Sequence, residues 1–453
     1  MRILITGASG LLGKNLIRSS LAAGHEVVAL VRNPADLVML PMENVFSWQE
    51  LESAPAKVFG GVEAVVHLAG ENIADRRWSH KRKQALRNSR ILTTRTLVSA
   101  LKSLPAEQRP ATLISGSAIG YYGYEREEIL TEGAAPGKDF LAQLCREWEQ
   151  EAQPAEALGI RVVYARTGIV LSREGGALPQ MPPIQVSHGR NVLSWIHVED
   201  WVRAIHFVLR ERKVQGPVNF VAPGPVQNRD FVRELAKVFG IPTFGFVPKL
   251  LLQVILGELA QAILSSQRVA PTVLQDCGFH FEFPDLASAL KRELGGRSVL
   301  DQFFIRDQFV ARAPAEVFPF FTKAENLETL TPPWLNFRII RKSTPEIQQG
   351  TLIDYRLKIH GVPVGWRTLI SQWHPGKNFV DEQLRGPYSK WHHLHTFTSV
   401  TGGVLLGDEV TYRVPGWLPG KLLLSRWIRG DITQIFAYRQ KRILELEATS
   451  HLR

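Results

Sequence analysis

The stretch Thr6-Gly7-Ala8-Ser9-Gly10-Leu11-Leu12-Gly13 constrains this chain more than any other, because it joins a short apolar strand at residues 2–7 to a helix at 11–23. Gly7 permits a tight turn, Gly10 lets the backbone approach a bound group, and Gly13 lets the helix pack closely on the strand. The free N–H groups and the dipole at the start of that helix favour a diphosphate. Placed between strand and helix at the opening of a βαβ unit, this loop reads as a dinucleotide cradle formed by Gly7, Ser9, Gly10, Leu11, Leu12 and Gly13.

Further near-continuous apolar strands follow at 27–31, 64–68, 112–115 and 161–165, with helices at 81–102 and 140–158 between them. Such alternation predicts an α/β Rossmann fold, a doubly wound parallel sheet covered on both faces. The end of the second strand selects the dinucleotide. A carboxylate there would bind the ribose 2′-hydroxyl of NAD, whereas this chain has Arg32 and no acid before Asp36. A guanidinium suits a 2′-phosphate, so the expected cofactor is NADP(H). The third strand end, Leu68-Ala69-Gly70-Glu71, is expected to face the nicotinamide side.

A chain of 453 residues is long for one core, so two domains are expected. The Gly295-Gly296 pair marks the boundary, giving domains at 1–296 and 298–453. The second segment reads as a strand at 303–310 and a helix at 315–321. Strands follow at 337–341, 351–359, 366–373, 378–384, 391–399 and 404–414, then a long helix at 420–447. This order predicts an α+β domain in which a curved antiparallel sheet wraps the last helix. Two cysteines exclude a disulfide framework. No signal-peptide pattern opens the chain, and the apolar run at 250–264 falls short of the roughly 20 residues needed to span a bilayer. The expectation is a cytoplasmic protein without a membrane span. The net charge of +11 is dispersed, which argues for a solvated basic surface and against nucleic-acid binding. Oligomeric state and substrate identity leave no sequence signal.

Together the glycine loop, His67-Leu68-Ala69-Gly70 and Ser194-Trp195-Ile196-His197-Val198-Glu199-Asp200 resemble the extended short-chain dehydrogenase/reductase class, which contains the NAD-dependent epimerases and dehydratases. Gly70-Glu71-Asn72-Ile73, Arg77-Trp78, Gly120-Tyr121-Tyr122-Gly123, Arg166-Thr167-Gly168 and a helical tail at 248–294 are similar to its atypical epimerase-like branch. The resemblance covers residues 1–296 and implies a small-molecule substrate. It also implies a catalytic serine at Ser117, and it places Arg90 at a position beside the cofactor where relatives carry asparagine. The acid/base pair Tyr-x-x-x-Lys of the class is missing: the matching helix offers Phe140 with Leu144 and Leu141 with Cys145, and no tyrosine of the chain has lysine four residues later. Tyr121 or Tyr122, tuned by Arg90, is the expected replacement acid. A non-catalytic NADP(H)-binding regulator or scaffold is the competing reading. His197 is expected to be structural.

Residues 298–453 resemble the START-like, polyketide-cyclase-like (SRPBCC) superfamily through Ala313-Pro314-Ala315-Glu316-Val317-Phe318 opening a short helix, then strands, then the long helix. That resemblance implies a helix-grip fold with an apolar cavity and a hydrophobic ligand. Trp334, Trp366, Trp373, Trp391, Trp417 and Trp427 are candidates for its core or cavity wall. No nucleophile–base set stands out. His393 and His395 share one strand face and His392 the other; they are expected to be exposed strand histidines, with no metal centre.

Overall fold

The computed structural model describes residues 1–449; the side chains of Glu125, Phe244 and 417–423, Trp417 among them, lie outside the described residues. The chain divides into two compact units, Met1–Leu37 with Met42–Arg297, and Val38–Pro41 with Ser298–Arg453.

The first unit is built on strands β1 (Arg2–Thr6), β2 (Glu26–Val31), β3 (Val45–Ser47), β4 (Ala64–His67), β5 (Thr112–Ala118), β6 (Arg161–Thr167) and β7 (Gly216–Phe220). They lie in the order β7-β6-β5-β4-β1-β2-β3, and all pairs are parallel. Val27–Val31 and Ala64–His67 are buried along their length, as expected of strands covered on both faces. Helices α1 (Leu11–Ala22), α2 (His80–Ser103) and α3 (Phe140–Ala152) provide part of that cover. Val58, Phe59, Leu97 and Leu101 pack on Leu4, Val28, Val65 and Leu113 in one core. The strand order reverses between β1 and β4, so a crevice opens at their carboxyl ends, which is where open α/β sheets bind ligands.

One expectation for this unit needs correction. The tail at 248–294 is not helical throughout: between Leu259–Ile263 and Thr272–Asp276 lies the strand Ser266–Val269, paired in parallel with Glu125–Leu130. Its burial alternates with period two, as in a half-buried strand. The amide of Gln267, itself buried, donates to the carbonyls of Ile119 and Gly123.

The second unit is a seven-stranded antiparallel sheet of β8 (Gln302–Val310), β9 (Arg338–Lys342), β10 (Leu352–Ile359), β11 (Val362–His374), β12 (Asn378–Arg385), β13 (Lys390–Val400) and β14 (Gly403–Arg413). The order is β8-β14-β13-β12-β11-β10-β9, a meander from β9 to β14 with β8 added at the β14 edge. Helix α4 (Pro314–Thr322) follows β8, and α5 (Trp417–Ala448) ends the chain. From α5, Ile432 and Phe436 pack against Phe304, Val410 and Tyr412, while Ile443 and Leu446 join Phe318, Phe397 and Leu406. One face of the sheet is therefore covered by the last helix. Among the described residues, no helix is long and apolar enough to cross a membrane.

Candidate functional site

The glycine loop closes onto the end of β4. Gly7 adopts φ +65°, and a Cβ there would lie 2.6 Å from the Leu68 carbonyl oxygen, so only glycine fits. A Cβ on Gly13 would lie 2.4 Å from the Gly7 carbonyl oxygen and 2.7 Å from Ala8 Cα. Helix α1 thus starts in direct backbone contact with the turn. Its N-cap, Gly10, brings no capping side chain, and its first turn holds no acid. The N–H groups there are left to an anion. Ser9 and Gly10 are exposed at the tip, with Leu11 and Leu12 half-buried behind them.

A buried relay sets the loop's position. Thr6 Oγ1 accepts from the backbone N–H groups of Leu68 (3.0 Å) and Ala69 (3.1 Å), which leaves its own proton to donate to His67 Nδ1 at 2.8 Å. His67 therefore carries its proton on Nε2 and donates it to Thr94 Oγ1 at 2.8 Å, and Thr94 donates to the Arg90 carbonyl at 2.7 Å. Burial holds the His67 pKa down to about 3, so the imidazole stays neutral and can accept. The relay was not read from the sequence, although Thr6 and a histidine ending a wholly apolar strand were its visible signal.

Arg32 is exposed at the end of β2 and makes no hydrogen bond or ion pair among the described residues. Asn33, its neighbour, accepts from Ala35 N–H and shapes the turn at Pro34–Asp36. Gly70 lies against the Arg90 side chain: a Cβ there would meet Cζ at 3.1 Å. Arg90 donates to the carbonyls of Glu71 (2.9 Å) and Leu86 (3.1 Å), and its guanidinium lies 5.1 Å from the Trp148 ring centre. Glu71 is ion-paired with Arg82. Arg90 is thus committed to backbone and ring contacts and bonds neither tyrosine, which removes the expected tuning of Tyr121 or Tyr122 by Arg90.

Ser117 sits at the end of β5, facing α3. Its hydroxyl donates to Glu149 Oε1 at 2.6 Å, and Arg166 from β6 binds both Glu149 oxygens at 2.8 Å. Arg166 also donates to the Tyr122 hydroxyl (3.1 Å) and the Glu132 carbonyl (3.1 Å). Burial alone would lower the Arg166 pKa, but the hydrogen bonds and charge of Glu149 more than offset this and raise it. The Tyr122 ring is fully buried, and its hydroxyl donates to Asn219 Oδ1 at 2.7 Å. Burial pushes the Tyr122 pKa up. As a replacement acid Tyr122 is therefore badly placed: its phenol is spent inside the core. Tyr121 is half-buried, with the Arg166 guanidinium 3.5 Å from its ring centre. Cys145, on α3, is a buried thiol pushed up to about 12 by its burial.

Sequence reading missed Glu149 and the role of Arg166. The available signal was an arginine at the end of an apolar strand, since a buried guanidinium demands a carboxylate. His197 is structural, as expected. Its Nδ1 accepts from Glu199 N–H (3.2 Å), its Nε2 meets Glu293 Oε1 (3.0 Å), and it is fully buried.

The second unit holds a cavity of about 650 Å³ lined by Leu330, Trp334, Tyr355, Trp366, Trp391 and Ile435 among others. Trp373 packs in the core instead, and Trp427 is exposed, stacked on His360 at 4.4 Å. His393 and His395 are 5% and 6% exposed, which overturns the expectation of exposed strand histidines. They point to the inner face, where Asp381 and Asp408 on the flanking strands pair with them. The alternation along β13 was read correctly, but which face was inward could not be, because the carboxylates lie on other strands.

Residues 3–221 match the NAD dependent epimerase/dehydratase family, and residues 247–293 match a domain of unknown function, DUF1731. An epimerase family protein of Mycobacterium bovis is 39% identical over 300 residues, 64% of this chain and 96% of that protein. One from Bacillus subtilis is 36% identical over 308 residues, covering 66% of this chain and 100% of its own. Among solved structures, the human epimerase family protein SDR39U1 (isoform 2) with NADPH is 30% identical with a TM-score of 0.59. That match covers 65% of this chain and 99% of the human one.

Proposed function

The chain belongs to the NAD dependent epimerase/dehydratase family, and from that membership we propose that its first domain, residues 1–296, binds NADP(H) and exchanges a hydride with a small hydroxyl- or carbonyl-bearing substrate. The observation that carries this reading is the loop itself: Gly7 and Gly13 leave no room for a Cβ, and the α1 N-terminus has no capping side chain. The human relative bound to NADPH supports the choice of cofactor. Gly7, Ser9, Gly10, Leu11, Leu12 and Gly13 cradle the diphosphate, and Arg32 takes the 2′-phosphate. Leu68, Ala69, Gly70, Glu71 and Arg90 border the nicotinamide. When bound, the nicotinamide supplies the hydride donor or acceptor.

Ser117 then binds the substrate oxygen. Its proton is held by Glu149, so its lone pairs face a substrate hydroxyl. As that hydroxyl gives up its proton to Ser117 Oγ, Ser117 hands its own to Glu149. Tyr121 forms a pocket wall. Deuteride transfer from 4-deuterated NADPH to a carbonyl library, followed by mass spectrometry, tests this: label should appear in a product and fall at least tenfold in Ser117→Ala. If NADPH binds and no carbonyl takes label, the catalytic reading is lost. A non-catalytic binder would then stand, a reading favoured by the burial of the Tyr122 phenol.

Arg32→Ala should weaken NADPH roughly ten- to a hundredfold, the effect of losing a charge-assisted contact, while NADH affinity stays unchanged. Calorimetric titration of both cofactors checks it; an equal loss for both would place Arg32 outside the cofactor site.

The second domain, residues 298–453, we read as a START-like helix-grip domain that binds an apolar small molecule. The large aromatic-lined cavity and the long covering helix support it.

A further inference from the structure

We propose that Asp381, His393 and His395 in the second unit bind one divalent transition-metal ion, with open coordination positions facing the cavity. This goes beyond the dinucleotide reading and does not depend on it.

Strand register assembles the group. Asp381 on β12 lies directly opposite His393 on β13, and Asp408 on β14 lies directly opposite His395. Period-two alternation puts His393 and His395 on the same face, with ring centres 3.7 Å apart. Each imidazole then presents one nitrogen to each carboxylate. Asp381 Oδ2 is 3.3 Å from His393 Nδ1 and 2.8 Å from His395 Nε2. Asp408 Oδ1 is 3.0 Å from His393 Nε2 and 3.2 Å from His395 Nδ1.

The two carboxylates are not equivalent, and the asymmetry identifies the ligand set. Asp381, His393 and His395 line the cavity, whereas Asp408 does not. Arg439 from α5 lies 3.3 Å from Asp408 Oδ1 and fixes that carboxylate as an acceptor. Asp408 takes the Nε2–H of His393 at 3.0 Å, which turns the His393 Nδ1 lone pair toward Asp381. His395 donates its Nε2–H to Asp381 at 2.8 Å while its Nδ1 accepts from Arg439 at 3.5 Å. Metal binding therefore moves that proton to Nδ1, which lies 3.2 Å from Asp408 Oδ1. A carboxylate behind the imidazole is the usual support of a metal-bound histidine, because it fixes the tautomer and raises ligand basicity. The three donor atoms lie within 4.8 Å of one another. Ligands about 2.0–2.2 Å from one ion are themselves roughly 3–3.5 Å apart, so binding needs only small side-chain shifts. Two imidazoles and one carboxylate suit zinc, iron(II) or cobalt(II), and three protein ligands leave positions open. Phe379 stacks on His395 at 4.2 Å, and aromatic side chains line the cavity beside the site.

The test uses the full chain, stripped with a chelator and titrated with Co²⁺ while its visible d–d bands are followed. Saturation near one equivalent per chain is expected, with the bands lost in His393→Ala and Asp381→Ala. Asp408→Asn keeps all three ligands and should weaken Co²⁺ roughly ten- to a hundredfold. Circular dichroism shows which variants remain folded. Should the ligand variants unfold, displacement of the wild-type bands by one equivalent of Zn²⁺ serves instead. Absence of saturable bands in the wild-type chain overturns the proposal, as do bands that persist unchanged in folded ligand variants.

Discussion

Gly13→Val should lower NADPH affinity at least a hundredfold and destabilise the first unit. The Cβ of any larger residue would sit 2.4 Å from the Gly7 carbonyl oxygen and 2.7 Å from Ala8 Cα. Both are backbone atoms, so no rotamer change relieves the clash. The Gly7 carbonyl also accepts the Gly10 N–H at 3.0 Å, so moving it opens the turn that aims the α1 N-terminus. Overpacking of this kind costs about 1–3 kcal/mol or more, and valine adds further methyls to the same contact. Gly133→Ala is the matched control, because a Cβ there meets nothing within 4 Å. It should leave both affinity and melting temperature unchanged. Calorimetry and thermal melting of the two variants read the difference. Wild-type NADPH affinity in Gly13→Val would mean that the loop does not hold the diphosphate.

Arg166→Met carries the second large effect, about 3–5 kcal/mol of stability, the cost of leaving a buried carboxylate without its partner. The Arg166 and Glu149 side chains are 4% and 11% exposed, so water cannot replace the lost bonds. Tyr122 and the Glu132 carbonyl lose a donor in the same step. The double variant Arg166→Met with Glu149→Leu removes the stranded charge and should recover part of the loss. Urea unfolding of the single and double variants measures this. A single variant within about 1 kcal/mol of wild type would show that the pair is solvated in solution and does not order Ser117.

The parallel sheet and the order of the later antiparallel strands were legible because continuous apolar runs and period-two alternation are local properties. The turn between β1 and α1 was legible for the same reason: its glycines stand three residues apart in one short loop, and Gly7 and Gly13 leave no room for a Cβ. What escaped were partnerships between distant positions. Glu149 meets Arg166 and Ser117 only because α3 packs on β5 and β6. The Thr6–His67–Thr94 relay joins two strands and a helix, and the His393–His395 cluster needs strands on either side. The strand Ser266–Val269 was hidden within helical neighbours because four residues are too few to show a period.

The measurement that bears most directly on the proposed function is calorimetric titration of the intact chain with NADPH and with NADH. In the proposed site Gly7, Gly13 and the open α1 N-terminus would serve the diphosphate common to both cofactors, while Arg32 would discriminate only through the 2′-phosphate. Binding of both, with NADPH at least tenfold tighter, is the expected result. Equal affinities, or tighter binding of NADH, would contradict the assignment of Arg32 and with it the NADP(H) specificity of the site.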